Sequence, residues 1–167
     1  MQAQSIDALI AYWQSKCGDT GIPDRADIDP TEIPRLLQDI IILERTDDAN
    51  LRVRLAGTNV VSCLDYDPTG QVFDRNMVAK GVQALIQHCG DAANLRKPQR
   101  HVIDNFGLRR AYNEVELAIL PLRRNGDDVV MFLVGAQFRV SSERNKQELV
   151  PRIGEKRGNG WHGNVVC

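Results

Sequence analysis

No apolar run in the chain approaches the ~18 residues that a membrane-spanning helix needs. The first residues, MQAQSIDALIAYW, have no basic n-region and no clean apolar h-region, so they do not read as a secretory signal. An excess of one charge sign is also missing. The net charge is −1 and the pI is near 6.3, which excludes the global basic footprint of a nucleic-acid-binding domain. Aromatic residues make up 5% of the chain, and no stretch interleaves them with basic residues. The four cysteines, Cys17, Cys63, Cys89 and Cys167, form no CxxC pair and have no histidine at finger-like spacing. They read as reduced thiols of a cytoplasmic protein rather than as a disulfide framework or a zinc site. GxSxG, HExxH and Walker sequences are absent, and His88, His101 and His162 are too scattered to suggest a triad or a metal site. No catalytic residue and no metal ligand is assigned.

What remains is a body of ordinary globular composition. With 167 residues, 43% of them hydrophobic, the chain suits one domain with an extension or two and can bury a core without staples. Ile6, Leu9, Ile10 and Trp13 recur at helical spacing, with Ser5 as a candidate N-cap, and Gly18 stops the helix. CGDTGIPDRADIDP is loop. Asp29-Pro30-Thr31-Glu32 opens a short helix by cap and proline, with Glu32 placed to reach back. DIIILE (39–44) and LRVRLAGT (51–58) read as an antiparallel hairpin around RTDDAN. NVVSCLDY (59–66) suits a short helix and DPTGQ a turn. Val78, Val82, Leu85, Ile86 and Cys89 mark the clearest amphipathic helix, running on toward Leu95 before Pro98. QRHVIDNF, NEVELAILPLRR and DVVMFLVGAQFRV are strands, the last two joined at Asn125-Gly126. Val129–Val134 is apolar on both faces, which places that strand centrally and requires a cover on each side. The amphipathic helix of residues 1–18 or a second subunit supplies the second cover. The domain proper is 19–140, and 141–167 reads as a helical extension and a mobile tail.

Individual motifs carry little chemistry. Gly57-Thr58 lacks the further glycines or lysine of a phosphate loop and is better read as a corner, with Thr58 capping the next helix. Asp24, Asp27 and Asp29 lack the spacing of a calcium loop and suit backbone capping. Glu114 and Glu116 share one face of a strand and read as exposed charges on its polar side. His88 reads as a boundary or surface histidine; a haem ligand is the sharper reading. Arg109-Arg110 and Arg123-Arg124 read as a solvated sheet edge, with an acidic partner as the alternative.

The set Tyr12-Trp13, Pro23-Asp24-Arg25, Asp29-Pro30, Ile33, Leu36-Leu37, Arg54-Leu55-Ala56-Gly57-Thr58 and Thr69-Gly70, in this order, resembles a bacterial family of single PAS-like domains. The resemblance covers roughly residues 5–140. It implies an α+β fold: a five-stranded antiparallel sheet with helices on one face, preceded by the N-terminal amphipathic helix. It also implies a cytoplasmic sensory or adaptor role in bacterial signalling, often with a histidine kinase as partner, and no defined catalytic residue. A ligand would act by favouring one of two packings of sheet and helices. Candidate pocket-lining residues are Leu64, Tyr66, Phe73, Val82, Ile86 and Phe132, facing a small apolar ligand. No cofactor is strongly indicated. Ile6, Leu9, Ile10 and Trp13 are the candidate interface: they fold back on their own sheet, contribute to a homodimer, or both. The alternatives are a small α+β enzyme using acid–base chemistry on an apolar substrate, for which Asp65 and Asp104 are the nearest carboxylates, and a scaffold with no ligand.

Overall fold

The computed structural model describes residues 3–77, 79–104, 114–126 and 128–140. Val78, the Arg109-Arg110 pair, His162, Cys167 and the 141–167 extension lie outside the described residues. Helix α1 spans Ala3–Ser15, so Ser5 lies within it rather than capping it. Strands β1 (Ile40–Arg45) and β2 (Leu51–Ala56) form the expected antiparallel hairpin. Helix α2 (Thr58–Leu64), strand β3 (Val72–Phe73) and helix α3 (Lys80–Leu95) follow. Strands β4 (Gln99–Asp104), β5 (Glu114–Arg123) and β6 (Val129–Arg139) complete one antiparallel sheet in the order β3-β2-β1-β6-β5-β4.

The sheet therefore has six strands and not five. The extra one, β3, pairs only Leu51 with Phe73 and Arg52 with Val72. Two residues next to a turn present no period to read. The segment from Pro30 also differs from the continuous short helix expected. It is a series of 3-10 turns, Pro30–Glu32 and then Leu37–Asp39, the form a chain takes when only three residues stay helical at a time.

The two faces of the sheet carry two cores. Odd-numbered positions of β1 and β5, such as Ile41, Leu43, Val115, Leu117 and Ile119, join Phe132 and Val134 beneath α3, which contributes Val82, Leu85, Ile86 and Cys89. Even-numbered positions, Ile40, Ile42, Ala118, Leu120 and Leu122, join Leu133 beneath α1. Strand alternation sorts one sequence into both cores.

Trp13 fixes how α1 lies. It is completely buried, and its indole N–H donates to the carbonyl of Pro121 at 2.9 Å. Pro121 sits in β5 beyond Ile119, where the pairing with β4 stops, so its missing N–H costs no ladder bond. The loop after α1 docks on the same strand end. The backbone N–H of Arg123 donates to Pro23 at 2.9 Å, its Nε donates to Ile22 at 2.8 Å, and Asn125 N–H donates to the Asp24 carboxylate at 3.1 Å.

The Gly57 corner is settled by space. Its φ of −68° is open to any residue. A Cβ there would lie 2.3 Å from the Leu37 carbonyl oxygen and 2.4 Å from that of Gln38. Glycine is needed because β2 hands over to α2 directly against the backbone of a 3-10 turn. Gly57, not Thr58, holds the N-cap position, and Thr58 is the first helical residue. Gly135 differs, since a Cβ there would meet the Leu9 side-chain terminus at 2.8 Å. Gly57→Ala is expected to cost about 3 kcal/mol and Gly135→Ala about 1 kcal/mol, because a methyl can move and two carbonyls cannot. Denaturant midpoints at unchanged slope check this; equal losses would refute the distinction.

Candidate functional site

The sheet face under α3 holds one apolar niche. It is lined by Ile41, Val53, Leu64, Pro68, Phe73, Leu85, Val115, Leu117, Ala136 and Phe138, and its volume is about 10 Å³. That is room for roughly one water molecule, in a place with no polar group to hold one. Of the pocket residues expected from sequence, Leu64 and Phe73 line this niche. Val82, Ile86 and Phe132 are buried in the surrounding core without lining it, and Tyr66, just after α2, is exposed. Ile6, Leu9, Ile10 and Trp13 are all buried against the sheet of their own chain.

The carboxylates of β5 are a correction. Glu114 and Glu116 are buried, not displayed on a solvated face. β5 lies between two strands and is covered on both sides, so its alternation of charged and apolar residues does not separate outside from inside. Glu116 is neutralised where it sits. One oxygen accepts from Arg100 Nε at 2.7 Å and Nη2 at 2.6 Å, and the other accepts from Arg139. Arg100 also reaches Asp7 of α1 at 2.8 Å, and Arg139 donates to Gln137 at 3.0 Å. This network ties the start of α1 to the sheet. Residue spacing pairs Glu116 with Gln137 only after the β5–β6 register is known, so single-sequence reading had no signal for it.

The aspartate cluster acts as the capping residues it was read to be. Asp24 and Asp27 form a reciprocal capping box, and Asp29 accepts from Thr31 N–H at 2.8 Å and its hydroxyl at 2.7 Å. These Thr31 hydrogen bonds hold the Asp29 carboxyl below its usual range. Glu32 does not reach back to its cap. It takes Lys16 at 2.6 Å and the Tyr12 hydroxyl at 2.8 Å, and these bonds, Lys16 first, lower its pKa. Tyr12 in turn accepts from Asp29 N–H at 2.8 Å.

Cys89 is fully buried, and burial raises its thiol pKa. Among the described residues Cys63 and Cys89 are free thiols, as read from the sequence. Among the described residues no group of three or more His, Cys, Asp or Glu could hold a metal ion. The histidines are less scattered than their numbers suggest. His88 of α3 and His101 of β4 stack at 3.5 Å between ring centroids with planes 10° apart. The turn at Arg96, φ 52°, folds α3 back over β4 and brings them together.

A mixed antiparallel-sheet and helix domain with an apolar niche is what these residues build. The family model described as PAS domain matches residues 1–137. The chain belongs to the PAS domain family. Among solved structures, one similar to it is the crystal structure of the Rhodobacter sphaeroides LOV protein, with a TM-score of 0.45 and 15% identity over 75% of this chain and 76% of that one. No curated protein matches the chain. Of the motif residues that carried the resemblance, Trp13, Pro23 and Asp24 fasten α1 and its loop to the end of β5 and the turn after it.

The Glu116 network makes a prediction with a built-in control. Glu116→Gln is expected to lower stability by about 2 kcal/mol, since it leaves two partly buried guanidinium groups short of a counter-charge. Asp7→Asn, at the exposed rim, is expected to cost less than about 0.5 kcal/mol. Urea unfolding of the two variants beside the parent checks both values.

Proposed function

We propose that this PAS domain is a sensory or adaptor module in bacterial signalling, acting in the cytoplasm and passing its signal through protein contacts, with a histidine kinase as the class of partner. The family supports the sensory role. The observation that carries the emphasis on protein contacts is the niche of about 10 Å³. A drug-sized ligand needs some 300 Å³ or more, so a small apolar ligand would enter only by displacing core side chains. Binding of that kind would select a second packing of α3 and the sheet. A homodimer would have to use surfaces other than the buried stripe of α1.

The scaffold reading gains from the same observation, because the domain's own side chains fill its interior. Acid–base catalysis gains nothing comparable. The niche is lined by no carboxylate, Asp65 caps α2 in the left-handed conformation at φ 64°, and Glu116 is held between arginines.

Native mass spectrometry and the absorption spectrum of the purified chain test the proposal. Protein of bare chain mass, or a whole multiple of it, without visible absorbance is the expected result. A stoichiometric small molecule or a pigment would overturn the emphasis on protein contacts. Leu85→Ala supplies the complement. It removes one wall of the niche and is expected to cost about 3 kcal/mol. Saturating benzene should raise the Tm of this variant and leave the parent unchanged; a parent Tm raised equally would mean the niche already opens to ligands.

A further inference from the structure

The stacked imidazoles of His88 and His101 take no part in the niche or in the Glu116 network. We propose that this stack is a proton-operated clasp, which holds α3 on strand β4 and releases it on acidification. The inference does not depend on the signalling role proposed above.

Three observations carry it. The rings belong to different elements and meet face to face, at 3.5 Å and 10°. Buried imidazole atoms His88 Nδ1 and His101 Nε2 have no hydrogen-bond partner, and Gln99 Nε2, on the same face of β4, is likewise buried without one. Such atoms cost free energy that an apolar side chain of similar shape would not, so packing alone does not account for two histidines. A metal does not account for them either. In nearly parallel rings the nitrogen lone pairs, which lie in the ring planes, run side by side instead of converging on one ion. A proton remains. Adding one places a charge and a new donor where no acceptor waits, against the face of the second ring.

Few charges oppose this. Among the described residues Asp91 of α3 is the acidic group that favours the protonated rings, and His88 disfavours protonation of His101 across the stack. From β5, the residue opposite His101 is Leu117. Burial outweighs Asp91. It lowers the His88 pKa, and together with His88 it pushes His101 down to about 4. Above the ordinary value of 6.5 both rings are neutral whether the clasp is open or closed, and its stability is complete. As pH falls below 6.5 the open form binds protons first, and stability is lost progressively until about pH 4, where closed His101 also titrates. Opening would uncover the apolar underside of α3, including Ile86, Cys89 and Ala92.

Amide hydrogen exchange on the full chain between pH 7.5 and 5, corrected for intrinsic rates, tests the clasp. Protection in the second half of α3 and in β4 is expected to fall by up to about tenfold per pH unit for each imidazole below 6.5, while β5–β6 amides serve as the internal reference. In His88→Phe/His101→Phe, which keeps a ring stack but cannot titrate, protection should not depend on pH. The same pH dependence in variant and parent would overturn the proposal. Should the double variant not fold, imidazole NMR titration of the parent decides: both rings titrating below 6.5 supports the clasp, and ordinary titration of both near 6.5 overturns it.

Discussion

The architecture depends on covering both faces of the β5–β6 pair, and the hydrogen bond from Trp13 to the Pro121 carbonyl marks how that is achieved. Leu117, Ile119, Leu120, Leu122, Leu133 and Val134 are almost entirely removed from water. At roughly 25 cal/mol per Å² of apolar surface, either face left open would forfeit much of the stability of a domain this size. α3 closes one face and α1 the other. Trp13 places the largest side chain of α1 at the end of β5, where the strand leaves a carbonyl without a neighbouring strand. The Ile22–Asp24 loop then seals the same end: its Pro23 and Ile22 carbonyls accept from Arg123, and its Asp24 carboxylate accepts from the Asn125 N–H.

This layering bears on function through what it leaves unfilled and what it fills with charge. The niche on the inner face holds about 10 Å³. On our proposal, the parts of this PAS domain that respond to conditions are the joints between layers. Two such joints are polar. Glu116, Arg100 and Asp7 join α1 to the sheet, and His88 with His101 joins α3 to β4. The first is satisfied and resists change. The second leaves polar atoms without partners, which is where a change of conditions has most effect.

Much of the fold was legible because periodicity is a local property. The α1 stripe, the 51–56 strand, the long α3 face and the doubly apolar β6 each declare themselves within a dozen residues. The Asp29 cap and Pro30 did the same for one turn. The two-residue β3 was hidden because its existence rests on Leu51 and Arg52, twenty residues away. Glu114 and Glu116 misled because alternation reports exposure only where one face of a sheet is wet. Candidate pocket residues were legible as apolar and no further. Whether Leu64 lines a niche while Ile86 fills a core depends on a few ångströms of packing that no local pattern encodes.

The Gly57 corner shows the division most plainly. By itself the sequence determined that a strand ends there and that a helix begins, since these follow from residue types at fixed spacing. Only the tertiary structure decided why the residue is glycine: the Leu37 and Gln38 carbonyls come from a separate turn and occupy the space a Cβ would need. The same holds for the two faces of the sheet, the neutralised Glu116 and the stacked histidines. Each is a contact between segments distant in sequence, and chain connectivity specifies local backbone preference far more directly than it specifies which distant surfaces meet.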